Sequence, residues 1–301
     1  MIIWLASYPR SGNTLIRLLV SQALGLRTYS QYNDRNDLGA DPDVAATVGH
    51  VSYEGKWSAF YKQARAGDDL HLVKTHDYPR DEEKAIYVLR DGRSSIVSYR
   101  HYIESFGGQA VSLAQTILGA VPFGGWSDHV KAWRPLQRPN TLFLKYEDIV
   151  ANREGAIAEI ARFLGLEVAG SAVSQFDELH AKEPNFFRSG SNTRNIEEFD
   201  ESHLALFRMF HGKTMASYGY DRGADDLIQA DVLLPAIETM RAGLLEMSGY
   251  HNIIRQKEEL TGNLRNSNKL LADATAVAEH LRKERAEKDN THAAKLREKD
   301  K

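Results

Sequence analysis

Residues 4–20, WLASYPRSGNTLIRLLV, are compatible with few folds. Ile2 to Ala6 is a short apolar run, partly β-branched, and reads as a buried strand. Leu15, Ile16, Leu18, Leu19 and Ala23 then recur at helical spacing, and Gly25 stands where it can close the helix. Arg10, Ser11, Gly12, Asn13 and Thr14 lie between them, at a strand–loop–helix junction. The first amides of a helix lack intrahelical partners and carry roughly half a positive charge. A loop that aims those amides and one guanidinium at a single place is an anion site. The plainer alternative is a tight turn with a helix cap, which Ser-Gly-Asn would also satisfy.

The pattern repeats along the chain. Candidate strands are 2–6, 70–74, 85–89 and 141–145; candidate helices are 12–24, 57–65, 93–104, 109–119, 127–134, 152–164 and 202–210. Strands separated by helices predict an α/β fold, a P-loop-like parallel sheet flanked by helices. Ligands of such folds gather beyond the carboxyl ends of the strands. Lys74 closes one apolar run and His76 follows it; Arg90 closes another, and Ser98 lies on the helix that starts at once behind it. Asp91 or Ser94 can cap that helix. Taken singly, a loop histidine is ordinary surface and a strand-end arginine a salt-bridge partner. Together, three strand ends that offer Arg, Lys or His to one edge call for a substrate with separated anionic groups. Neighbouring positive charge lowers a histidine's pKa and so keeps the ring neutral, the form that can accept a proton.

The junction is not a Walker A sequence, which needs a lysine before its Ser or Thr; Gly12-Asn13-Thr14 stands there instead. An ATP-type P-loop is disfavoured, although the phosphate-cradling mechanics are the same. Composition narrows the choice further. The 301 residues carry a formal net charge of -3, so no overall basic field argues for nucleic acid or an anionic membrane. Cysteine is absent, which excludes disulfides, a thiol nucleophile and Cys-ligated metal, and fits a cytoplasmic protein. No apolar stretch approaches the ~18 residues of a membrane span. The apolar N-terminus reads as the first strand rather than a signal segment, leaving no room for an N-terminal anchor. The histidines show no metal-ligand spacing, so no metal is expected.

The texture changes near residue 225, which predicts a globular domain over 1–224 and a helical extension over 225–301. Ile253, Leu260, Leu264, Leu271, Ala274, Ala278 and Leu281 recur at coiled-coil spacing before a frayed end. A helix that long needs a partner for its apolar seam, so self-association or a protein partner through residues 250–285 is expected, or else a fold-back hairpin. Gly107-Gly108 and Gly124-Gly125 bracket an apolar helical segment with Leu113, Ile117, Leu118 and Val121. That segment is either a movable cover over an acceptor pocket or a helix packed on the core.

These residues resemble the sulfotransferases that use 3′-phosphoadenosine 5′-phosphosulfate (PAPS). SYPRSGNT is similar to their 5′-phosphosulfate loop, and KTH at 74–76 to the Lys-Thr-His of the cytosolic branch. YVLRDGRSSIVSYRHY resembles their 3′-phosphate strand–loop–helix, FLKYEDI their Tyr-Glu-Asp strand end, SQFDELHAKEP their adenine segment, and FFRSGS their Arg-Lys-Gly loop. The similarity runs over about residues 1–220, in the family's motif order.

The resemblance implies PAPS as co-substrate, PAP as product and no metal. It implies His76 as the base that deprotonates an acceptor hydroxyl or amine, Arg10 at the bridging oxygen of the breaking bond, and Lys74 and Ser98 at the sulfuryl centre. Ser11, Gly12, Asn13 and Thr14 would complete the phosphosulfate cradle. Arg90 and Ser98 would hold the 3′-phosphate, with Arg188, Ser189 and Gly190 closing over it, and Tyr146 and Phe176 would lie near the adenosine. The chain departs from the family pattern at three places: Arg10 for the loop lysine, Leu15 for a tryptophan and Ser189 for a lysine. The acceptor stays open among a glycan, a small molecule such as a phenol, and a peptide. Two rival readings are a P-loop-type nucleotide kinase and a non-catalytic scaffold acting through the helical tail.

Overall fold

A computed structural model describes residues 1–34, 42–107, 110–168, 196–220, 235, 237–244 and 275. Its centre is a five-stranded sheet of β1 (Ile2–Ser7), β2 (Thr28–Ser30), β3 (His71–Thr75), β4 (Ala85–Leu89) and β5 (Thr141–Lys145), in the order β2-β3-β1-β4-β5. Every pairing is parallel. Four of these strands match the apolar runs of the sequence. The fifth, β2, reads Thr-Tyr-Ser and sits at the sheet edge, where a strand needs no apolar run.

β1 is buried throughout and serves both faces. Ile2, Trp4 and Ala6 enter one apolar cluster, while Ile3 and Leu5 enter the other, as the two-residue period of a strand requires. On the Ile3 side lie α1 (Asn13–Leu24), α7 (Tyr146–Ala151) and α8 (Arg153–Leu164). On the Trp4 side lie α3 (Trp57–Ala66), α4 (Gly92–Gly107), α5 (Leu113–Ile117), α6 (Trp126–Trp133) and α9 (Glu201–Ser217). A short α2 (Pro42–Thr47) follows β2.

Two helices differ from expectation for local reasons. α5 is shorter because Ser112 and Gln115 form a capping box at its start and Gly119, at φ 77°, turns the chain soon after its end. α9 is longer, starting where Asp200 accepts the His203 N–H at 2.7 Å. The segment between the glycine pairs is packed in the structure. Leu113 and Ile117 are buried, and His211 of α9 donates from Nε2 to the Ile117 carbonyl at 2.8 Å.

The chain divides into two units, Met1–Leu244 and Leu245–Lys301. The heptad positions from Ile253 to Leu281, and with them the expected coiled coil, lie outside the described residues.

Candidate active site

Parallel pairing puts the ends of β1, β3 and β4 at one edge: Ala6 pairs with Thr75, and Ser7 with Val88. Of the expected site residues, Arg10, Ser11, His76, Arg90 and Ser98 gather there. Arg10 Nε donates to Ser98 Oγ at 3.2 Å, Arg90 donates to the Arg10 carbonyl at 3.2 Å, and the Ser11 and Ser95 hydroxyls bond at 3.0 Å. The loop after β1 is thus tied three times to the β4–α4 unit.

The backbone of that loop is unusual. Arg10 has φ 63° and Gly12, the N-cap of α1, has φ 106°. A Cβ on Gly12 would lie 2.6 Å from Tyr146 Cδ2, so only glycine fits there. Among the described residues no side chain caps α1, and its first turn carries no acid. The first amides of a helix have no intrahelical partner, and Thr14 is half-buried beside them. Asn13 plays a different part from Thr14. Its side chain turns inward and donates to the Leu5 carbonyl at 2.7 Å, pinning the helix to the strand.

His76 stands one residue past β3. Its Nδ1–H donates to the Ser7 carbonyl at 2.8 Å, which fixes the tautomer and leaves the Nε2 lone pair available. Burial, then the nearby Lys74 charge, lowers its pKa to about 3, so the ring is neutral at physiological pH. Its surroundings are aromatic, with Tyr32 nearly parallel at 6.1 Å and Phe123 edge-on at 5.5 Å.

Lys74 is already engaged. Its Nζ lies 3.2 Å from both oxygens of Asp34, which also accepts from Arg17 at 2.9 Å and from Ser30 at 2.7 Å. The two cations hold the Asp34 carboxyl well below the usual carboxylate range against the opposing effect of burial. Arg17 also meets His50 Nδ1 at 2.8 Å, and burial together with Arg17 lowers the pKa of that histidine.

Arg90 lies over the Tyr146 ring at 4.5 Å, an arrangement that fixes its planar fork. Behind it Glu147 accepts the Asp91 N–H at 3.1 Å and the Tyr220 hydroxyl at 2.7 Å. Arg10 in turn stacks over Tyr102 at 5.4 Å. Phe176, Arg188, Ser189 and Gly190 lie outside the described residues. Tyr32, Asp34 and Phe123 belong to the site's surroundings, and no sequence signal marks them. Tyr32 and Asp34 sit in a polar loop without periodicity, and Phe123 beside glycines. Among the described residues no cluster of His, Asp or Glu has metal-holding geometry, and no helix is long and apolar enough to cross a membrane.

A parallel five-stranded sheet flanked by helices, with basic residues at neighbouring strand ends, defines an α/β protein. The chain belongs to the sulfotransferase family: the model described as "Sulfotransferase domain" matches residues 2–219. Sulfotransferase 4A1 of Homo sapiens is 26% identical over 189 residues, covering 54% of this chain and 60% of that protein. Sulfotransferase 2B1 of Homo sapiens is 27% identical over 186 residues, covering 57% of this chain and 49% of that one. The chain thus spans about half to three-fifths of these curated relatives.

Among solved structures, mouse sulfotransferase SULT7A1 complexed with PAP aligns at a TM-score of 0.54 and 21% identity, over 75% of this chain and 89% of that one. Retinol dehydratase in complex with androsterone and inactive cofactor PAP aligns at 0.52 and 19%, over 76% and 83%. At these identities the likeness is one of fold.

Proposed function

We propose that the protein transfers a sulfuryl group from PAPS to an acceptor hydroxyl or amine, with His76 as general base. The observation that carries the reading is the Nδ1–H bond from His76 to the Ser7 carbonyl, which leaves an unprotonated Nε2 at the sheet edge. Family membership over residues 2–219 supports the class of reaction, and two solved structures of the same fold are complexes with PAP.

PAPS, when bound, supplies the activated sulfuryl group. The fit of this chain to it rests on the uncapped α1 N-terminus, on Gly12 pressed against Tyr146, and on two arginines held by stacking. In this reading the amides of Gly12, Asn13 and Thr14, with Arg10 and Ser11, hold the 5′-phosphosulfate. Arg90 and Ser98 hold the 3′-phosphate, and Tyr146 lines the nucleotide side. Phe176, Arg188, Ser189 and Gly190 would complete that side, as the family resemblance implies. His76 Nε2 takes the proton of the acceptor, while Lys74, released from Asp34 or acting beside it, adds positive charge. Transfer of this kind asks a protein mainly for positioning and charge stabilisation, and a positioned base adds about 10²–10⁴-fold.

The absence of cysteine supports a cytoplasmic location. We assign the catalytic domain to 1–224 and a helical extension to 225–301, which meets a second copy of the chain or a protein partner through residues 250–285. The acceptor is a glycan, a small molecule or a peptide.

Melting curves with PAP and without magnesium test the nucleotide class. PAP at 100 times its Kd should stabilise the chain by about 2.7 kcal/mol. Stabilisation by Mg-ATP alone would instead make it a nucleotide kinase, and none with either would leave a scaffold. With labelled PAPS and an acceptor panel, His76→Ala should abolish transfer and keep PAP affinity within a few-fold.

A further inference from the structure

We infer that Tyr32 is a positioning residue for His76, holding the base by its backbone and by one face of its ring. The inference rests on the reading of His76 as the general base. Tyr32 lies just past the edge strand β2, far from His76 in sequence, and nothing in the sequence marks it.

The contacts are specific. The Tyr32 hydroxyl accepts the His76 backbone N–H at 2.8 Å and donates to Asp77 Oδ1 at 3.0 Å. A single phenol therefore bridges the base and the residue after it. A phenol is protonated at neutral pH, so the hydroxyl stays a donor. The Tyr32 ring lies within 15° of parallel to the imidazole, and Phe123 stands edge-on to both, at 5.5 Å from each. Lys74 Nζ stands 5.9 Å from the same Tyr32 ring.

Asp77 is itself fixed. It accepts from Gln31 Nε2 and from Arg80 at 3.3 Å, its N–H reaches Thr75 Oγ1 at 3.1 Å, and its carbonyl takes the Trp133 indole at 2.9 Å. Thr75 Oγ1 in turn donates to Gln31 Oε1 at 2.9 Å. Thr75, His76 and Asp77 are thus all held from one side by Gln31 and Tyr32, while the Ser7 carbonyl holds the imidazole from the other. Without the phenol, the His76 N–H loses its acceptor and the ring loses a wall.

Tyr32 is 38% exposed, so replacing it opens no core cavity. The test is side-chain ¹⁵N NMR of the full-length chain, comparing wild type with Tyr32→Phe and Tyr32→Leu, with the His76 signals assigned through His76→Gln. The titratable groups near the ring are Lys74, Asp34, His129, Asp77 and Tyr32 itself, and only the last is changed. Wild type should give one tautomer, protonated on Nδ1, with a titration midpoint far below that of a free imidazole. Tyr32→Phe should mix the tautomers and raise the midpoint by about one pH unit as water reaches the ring. Tyr32→Leu, lacking the ring as well, should raise it further.

A residue of merely structural importance would lower the melting temperature and leave both signatures unchanged in the folded protein. Unchanged tautomer and midpoint in Tyr32→Phe overturn the inference, whether or not Tyr32→Leu folds. Transfer by His76→Ala is measured separately with labelled PAPS. Retained transfer there would remove the base reading, and the NMR signatures would then decide only whether Tyr32 positions the ring.

Discussion

Ser7 and His76 meet across neighbouring parallel strands, the carbonyl of one accepting the Nδ1–H of the other at 2.8 Å. Strand pairing brings the two residues side by side, since Ala6 is in register with Thr75 and the chain leaves the sheet just beyond them. A backbone carbonyl cannot titrate, so it selects the same tautomer wherever the His76 ring is neutral.

Acid should destabilise the fold early. Burial holds His76 and His129 at about 3 and His211 at about 4, whereas unfolded imidazoles titrate near ~6.5. Between those values the unfolded chain binds protons that the folded chain does not, so stability rises with pH. It should be complete above about pH 6.5 and fall steadily towards about pH 4. Melting temperatures across that range check it; a flat profile would mean these rings gain protons in the folded state at little cost.

Arg90→Ala should separate the two ends of the nucleotide. A charge-assisted contact is worth ~1.5–3 kcal/mol, so PAP should bind roughly tenfold to a hundredfold more weakly. Adenosine 5′-phosphosulfate, which lacks the 3′-phosphate, should lose little. Arg90→Lys should recover only part of the loss, because an ammonium lacks the flat fork that stacks on Tyr146 at 4.5 Å. Calorimetric titration with both nucleotides gives the comparison, and equal losses would place Arg90 away from the 3′-phosphate.

Gly12→Ala and Gly25→Ala form a matched pair. Both glycines have positive φ, but a Cβ at Gly25 meets nothing within 4 Å, while one at Gly12 runs into Tyr146 at 2.6 Å. Gly25→Ala should cost about 1–2 kcal/mol of stability and spare PAP binding. Gly12→Ala should cost more and weaken PAP, as the loop moves off the ring. Urea unfolding with PAP titration distinguishes them.

Asp34→Ala should be among the most damaging single changes. It leaves Arg17 and Lys74 buried without their shared carboxylate, a loss of ~3–5 kcal/mol. Lys74→Met should be milder, because Arg17 still pairs with Asp34 at 2.9 Å. If the two variants unfold at the same urea concentration, the carboxylate is not what balances this cluster.

The sequence makes some of this plain and hides the rest for physical reasons. The β1–loop–α1 junction is legible because apolar period and loop chemistry change together at Ser7 and Gly12. The gathering of Arg10, His76, Arg90 and Ser98 is legible because parallel strands end on one side. β2 is not, since an edge strand of Thr-Tyr-Ser carries no apolar signal. α7 is hidden because Tyr146 starts the helix directly after Lys145 ends the strand, with no turn residue between them. Lys74 is a strand-end cation, but its partnership with Asp34 joins β3 to the turn after β2, residues far apart in sequence, and no local pattern encodes that. Tyr32 is hidden for the same reason.

The three ties between the first loop and the β4–α4 unit, Arg10 to Ser98, Ser11 to Ser95 and Arg90 to the Arg10 carbonyl, join what binding data would treat as two separate subsites. Energies measured at one will therefore not simply add to those measured at the other. In a double-mutant cycle, Ser95→Ala and Ser11→Ala should together cost less than the sum of their separate effects, since each already breaks the bond they share. A nucleotide fragment that fills only one end should likewise bind more weakly than its share of the contacts suggests, because it has to order both segments alone.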